Sequence, residues 1–114
     1  MVIIHWHPTA DEWQYYLEGS AEMAVFLAEG DVVMNEYQKG DVGYVPMGTG
    51  HYIKNTGRDL LKVLVGFNNG HYQANDLSAW ISTNPVDVLA TNLNIPFSNA
   101  ERLPKQENFF IRGR

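Results

Sequence analysis

The stretch His5-Trp6-His7-Pro8-Thr9-Ala10-Asp11-Glu12 places two imidazoles and the carboxylate of Glu12, which are metal-ligand types, within eight residues. Side chains alternate between the two faces of a β-strand, so we expect His5 and His7 to share one face. Pro8 and the polar residues after it favour a turn, and a second strand starting near Glu12 would bring that carboxylate to the same side. The stretch therefore predicts part of a metal site.

A further ligand is expected from the segment 40–55, in which His51 lies between strand segments punctuated by glycine and by Pro46. The chain contains no cysteine, which excludes disulfides and thiolate ligands. Nitrogen and oxygen ligands suit Mn, Fe, Ni, Co, Cu or Zn, and geometry and metal supply decide among them.

Two spacings in the sequence resemble the two motifs of the cupin superfamily. They are H-x-H-x4-E-x6-G, ending at Gly19, and G-D-x4-P-x-G-x2-H-x3-N, ending at Asn55. More narrowly, HWHPTADEWQYYLEGSAEMAVF and YQKGDVGYVPMGTGHYIKNTG are similar to the C-terminal barrel of the bicupin oxalate decarboxylases. The resemblance implies an antiparallel cupin β-barrel, also called a double-stranded β-helix or jelly roll, that binds one manganese ion. The implied metal ligands are His5, His7, Glu12 and His51.

Short apolar segments separated by turns indicate an all-β antiparallel sandwich or barrel. The predicted strands after the first histidines are 12–17, 22–28, 32–37, 42–45, 51–55 and 60–67. We expect Leu60–Phe67 to be a central strand covered on both faces, because it is nearly continuous in apolar residues.

Helix signals begin at Asp76, and either Asp76 or Ser78 could cap a short helix through Trp80. Asn84 followed by proline predicts a second helix to about Leu93, and 98–101 resembles a capping box for a third. We expect one domain, with a barrel core at 1–75 and a helical extension and tail at 76–114 packed on it.

The charge and hydropathy of the chain bear on its partners and location. A formal net charge of −5 without a basic cluster argues against nucleic acid or an anionic membrane surface as partner. No apolar run is long enough to span a bilayer, and no signal peptide is visible. We therefore expect a cytoplasmic protein whose partner is a small molecule.

Little sequence precedes the first histidine, whereas a cupin barrel normally has strand material there. A bare strand edge exposes unpaired backbone groups, so either a second subunit or the tail segment Phe109–Ile111 is expected to cover Met1–Ile4. Alternation predicts that Trp6, Trp13 and Tyr15 face outward. Because such aromatic residues favour interfaces, we expect a two-fold homodimer.

Two polar residues are expected to lie close to the metal. Gln14 and Tyr16 share the face of Glu12 and are the candidates for lining the pocket. In the oxalate decarboxylase barrel, an arginine three residues before the first histidine holds the substrate, and a glutamate lies in the strand after the second motif. Val2 and Val65 occupy these positions. We therefore expect oxalate decarboxylation to be weak or absent.

Two functions remain open. The first is metal-dependent chemistry of the lyase or oxidoreductase type on a small carboxylate or oxygenated molecule, bound with water or dioxygen at open metal positions. The alternative is a non-catalytic module that uses the metal for ligand capture, sensing or stability. We favour the enzyme, because a structural metal more often has a closed coordination shell.

Overall fold

The computed structural model describes residues 1–103 and 108–112, and predictions that fall on 104–107 or 113–114 lie outside the described residues. The strands are β1 (Val2–Trp6), β2 (Glu12–Glu18), β3 (Ser20–Phe26), β4 (Val32–Gln38), β5 (Val42–Val45), β6 (Gly50–Asn55), β7 (Lys62–Phe67) and β8 (Asn75–Asp76). The helices are α1 (Leu77–Thr83), α2 (Val86–Leu93) and α3 (Phe97–Ala100). An antiparallel β-fold with short C-terminal helices is confirmed.

The strands form two sheets, one of five strands in the order β4-β3-β6-β1-β8 and one of three in the order β5-β2-β7. All of their pairings are antiparallel. Gly19 has a φ of 85°, and this conformation lets the chain turn from β2 in one sheet to β3 in the other. A Cβ atom on Gly19 would also lie 2.9 Å from the main-chain oxygen of Leu60, so the position accepts no larger residue without movement.

The hydrophobic core lies between the sheets and takes side chains from both. It consists of Tyr16, Ala21, Met23, Val25, Val45 and Ile53. Alternation along β2 produces this arrangement, because its even-numbered side chains from Glu12 to Tyr16 are buried while Trp13 and Tyr15 are exposed. The predicted division of this strand into an inner and an outer face is therefore confirmed.

The prediction of a central strand at Leu60–Phe67 is wrong. Strand β7 lies at an edge of the three-stranded sheet, and Leu64 on its outer face is 62% exposed. Its other face, with Val63 and Val65, lines a cavity between the sheets. A continuous apolar run cannot distinguish a strand covered on both faces from one that faces a cavity.

Prolines set the starts of the last two helices. Pro85, rather than Asn84, precedes α2, and Pro96 precedes α3, so the capping box predicted at Ser98 is wrong. The fixed φ of proline and its missing N–H suit the first turn of a helix. Among the described residues, no helix is long and apolar enough to cross a membrane.

The C-terminal tail covers the start of β1. The Ile3 N–H donates to the Phe109 carbonyl at 3.1 Å, and the Ile111 N–H donates to the Met1 carbonyl at 2.9 Å. The Met1 ammonium in turn donates to the Ile111 carbonyl at 2.8 Å. Of the two covers expected for this edge, the tail is the one observed. A dimer is therefore not needed to pair this edge.

Candidate metal centre

Four buried side chains meet between the two sheets. His5 lies on β1 directly opposite His51 on β6, and His7 follows the end of β1. Glu12 begins β2 in the facing sheet. One ligand atom from each of these residues lies within 4.8 Å of the others. The four residues predicted as ligands are thus brought together.

Each histidine ring is fixed by a hydrogen bond to the main chain. The Nδ1 atoms of His5, His7 and His51 bond the carbonyl oxygens of Ile3, Gln73 and Thr49, at 2.8, 2.8 and 3.0 Å. A carbonyl oxygen can only accept, so each Nδ1–H is the donor. In the neutral ring, Nε2 then carries the lone pair that a metal needs.

The Nε2 atoms approach the Glu12 carboxylate closely. Glu12 Oε2 lies 2.9 Å from His7 Nε2 and 3.0 Å from His51 Nε2. His7 Nε2 is buried and, despite this short distance, has no partner in hydrogen-bond geometry. When Nδ1 carries the proton of a neutral ring, Nε2 is an acceptor and faces the carboxylate oxygen, which is also an acceptor. A proton or a cation is therefore needed between the two atoms. This arrangement fits a bound metal ion.

The electrostatics of the centre favour the protonation states that metal binding requires. Burial lowers the pKa of His5 to about 4, and the neighbouring His51 and His7 lower it further against the effect of the Ile3 hydrogen bond. Burial would raise the pKa of Glu12, but the combined effect of the neighbouring His51, Gln14 and His7 outweighs burial and holds this pKa below its usual value. A neutral His5 and an ionised Glu12 are suitable ligands for a cation.

Gln14 and Tyr16 form a buried hydrogen-bonded chain beneath Glu12. The Tyr16 hydroxyl donates to Gln14 Oε1 at 2.6 Å, and Gln14 Nε2 donates to Glu12 Oε1 at 2.7 Å. Both side chains point inward as expected, but the structure places them under the carboxylate rather than on the cavity wall. A Cβ atom on Gly43 would lie 2.7 Å from Gln14 Oε1, so this glycine leaves room for the amide.

A cavity of about 700 Å³ opens beside the centre. Two aromatic rings that the sequence did not indicate as part of the site pack against the histidines. The Phe67 ring is 4.7 Å from His7, and the Phe109 ring is 4.7 Å from His5, between ring centroids. The sequence signal for Phe109 was the apolar segment Phe109–Ile111, which was expected to pack on the start of the chain. By contrast, the loop residue His71 is exposed and does not belong to the centre.

Two antiparallel sheets with three histidines and one glutamate converging between them form a β-protein with a site that could hold a metal ion. The family model described as Cupin matches residues 1–100. The chain belongs to the cupin family.

Its relatives include enzymes of known activity. The chain is 38% identical over 111 residues to the oxalate decarboxylase of Bacillus subtilis (strain 168). The aligned region covers 97% of this chain and 29% of that protein. A solved structure of the B. subtilis enzyme, studied for its Mn(II) centres, is 35% identical with a TM-score of 0.90, covering 99% of this chain and 30% of the other. The formate complex of the Lactobacillus farciminis oxalate decarboxylase is 36% identical, with a TM-score of 0.84. The match covers 90% of this chain and 30% of the other. The chain thus spans less than a third of each.

Proposed function

We propose that the chain binds one divalent metal ion and uses it in chemistry on a small carboxylate or other oxygenated molecule. The observation that carries this proposal is the convergence of four buried ligand atoms within 4.8 Å. The proposed ligands are His5, His7, Glu12 and His51. Metal analysis of the purified protein, followed by screening of carboxylates and of dioxygen consumption, tests the proposal.

Manganese is the metal that we propose. Histidine nitrogens and a carboxylate without sulfur suit Mn(II) as well as Fe, Ni, Co, Cu and Zn. Similarity to an oxalate decarboxylase structure with Mn(II) centres supports manganese among these metals.

The protein residues would hold and orient the reacting groups. A bound ion would act as a Lewis acid or as an oxygen-binding site. The main-chain hydrogen bonds to each Nδ1 hold the imidazole rings in place, and Gln14 holds one oxygen of Glu12 so that the other faces the histidines. The cavity wall beside the centre includes the apolar side chains of Val65 and Phe67.

Oxalate itself is expected to be a poor substrate. Val2 and Val65 stand on the cavity wall, and neither side chain can bind an anion or transfer a proton. We expect protein loaded with manganese to release little or no formate from oxalate. The metal content of the same sample should be determined, so that low activity can be distinguished from low metal occupancy. Robust formate production would contradict the expectation.

A binding or sensing module is the second candidate function. The apolar wall residues favour it, because Val2 and Val65 replace the two groups that a decarboxylase of this type would use. Tight binding of a carboxylate without turnover, by metal-loaded protein, would separate this function from catalysis.

We further propose a homodimer that uses the outer face of the three-stranded sheet. Trp13 and Tyr15 are 52% and 45% exposed on this face, and the Trp13 and Tyr44 rings are 4.6 Å apart. Exposed aromatic clusters of this kind are typical of interfaces. Light scattering at micromolar concentration should give twice the chain mass of 12.9 kDa. A monomer mass would contradict the dimer.

A further inference from the structure

The cavity beside the metal centre is much larger than oxalate requires. Its volume of about 700 Å³ falls in the range of pockets that enclose whole organic ligands. A two-carbon diacid would leave most of this space to water against apolar walls. The size of the cavity therefore indicates a ligand that extends well beyond the metal.

Between the metal centre and the far end, the walls of this cavity are mostly apolar. On β7, the alternating residues Val63, Val65 and Phe67 face the cavity and form one side. Val2 and Phe109 line it as well. The distance along β7 from Phe67 to Val63 is about 13 Å at the usual rise per residue of a strand.

The polar side chains at the far end are already engaged. Lys62 Nζ donates to Glu18 Oε1 at 3.0 Å. Asn55 Nδ2 donates to the Asp59 carbonyl at 2.9 Å, and Asn55 Oδ1 accepts the Gly57 N–H at 2.9 Å. A second carboxylate at the far end would meet only the half-exposed Lys62, already paired with Glu18, and an exposed ion pair of this kind contributes little binding energy.

We infer that the natural ligand is an amphipathic monocarboxylate. Its carboxylate lies at the metal centre, and its linear or aromatic apolar body extends along Val65 and Val63. The inference rests on the proposed function, because the metal proposed there receives the carboxylate. It adds the class of ligand, which neither the four metal ligands nor the similarity to oxalate decarboxylases specifies.

The test is a calorimetric titration of manganese-loaded protein with carboxylates of increasing chain length. Acetate, butyrate, hexanoate and octanoate share one head group and differ in apolar body. Burial of each added methylene is expected to raise affinity by about fourfold. Affinity that does not change with chain length, in protein that holds its metal, would overturn the inference and leave the proposed function standing.

A matched pair of variants on β7 locates the apolar body. Val65→Thr places a hydroxyl on the cavity wall and is expected to lower octanoate affinity about fourfold or more, and to lower acetate affinity by a smaller factor. Leu64→Thr changes the adjacent residue on the exposed outer face and is expected to leave both affinities unchanged. Equal effects of the two substitutions on octanoate would contradict the position assigned to the body.

Metal-free protein, checked for native circular dichroism, tests the position of the head group. Octanoate affinity is expected to fall at least tenfold without the metal. An unchanged affinity would overturn the inference, since the carboxylate would then not lie at the ion. Failure of the protein to bind any metal would instead contradict the proposed function, and calorimetry with the loaded protein tells the two failures apart.

Discussion

Replacement of His51 by alanine is expected to abolish stoichiometric metal binding. His51 is fully buried, and its Nδ1–H is held by the Thr49 carbonyl so that Nε2 faces Glu12. Alanine supplies no ligand and leaves the carboxylate without its neighbour. Because loss of a group that merely supports a ligand already weakens binding about 10–100-fold, loss of the ligand itself should cost more than about 100-fold. Elemental analysis after dialysis measures the remaining metal.

His71→Ala is the matched control, since it removes an exposed loop histidine outside the centre and should leave the metal content unchanged. His7→Ala provides a second test if the His51 variant folds poorly. His7 lies after the end of β1 rather than within a strand, so its replacement disturbs the sheet less. Full metal content in both ligand variants would show that the ion binds elsewhere.

Replacement of Gln14 by leucine is expected to weaken both the fold and the metal centre. Leucine is similar in size, but it removes the donor to Glu12 Oε1 and the acceptor of the Tyr16 hydroxyl. Each buried group left without a partner costs about 1–3 kcal/mol of stability. Burial raises the pKa of Tyr16, so its hydroxyl stays protonated and cannot relieve the loss by ionising. The free energy of unfolding should fall by about 2–5 kcal/mol in urea denaturation.

Metal affinity should also fall, by about 10–100-fold, because the Glu12 carboxylate loses the hydrogen bond that orients it. Gln38→Leu is the control, since it makes the same substitution at an exposed position at the end of β4. If Gln14→Leu and Gln38→Leu behave alike in both measurements, the hydrogen-bonded chain has no role in the centre.

Strand alternation and the resemblance to the cupin motifs together predicted the residues that meet at the centre. Strand alternation predicted that Glu12 points inward, and the two motif spacings predicted that His5 and His51 meet. The inward position of Glu12 depends on residues close together in the chain, whereas the meeting of the distant His5 and His51 was implied by the resemblance to the cupin motifs. The same reasoning predicted an antiparallel β-fold, which the structure confirms.

The supporting contacts could not be predicted, because they join distant parts of the chain. The acceptor for His7 Nδ1 is the carbonyl of Gln73, and a main-chain oxygen carries no residue-specific signal. The tail was one of two covers expected for β1, and the choice between the tail and a second subunit depends on the paths of both termini. The edge position of β7 was missed for a different reason, since the apolar residues that line a cavity resemble those of a buried strand.

The four residues of the centre and the cavity wall are held by different contacts. The ligands are held by main-chain carbonyls and by Gln14, whereas Val2 and Val65 belong to the cavity wall. Substitutions on the wall therefore need not disturb the metal geometry. We expect the ligand to be decided by the wall and the metal by the four residues of the centre.

The most direct test is a crystal structure of the protein grown with Mn(II), with anomalous data collected to locate manganese. The proposed centre predicts one strong anomalous peak, at bonding distance from Nε2 of His5, His7 and His51 and from the carboxylate of Glu12. A peak bound to other residues, or these four side chains well ordered with no ion between them at saturating Mn(II), would contradict it.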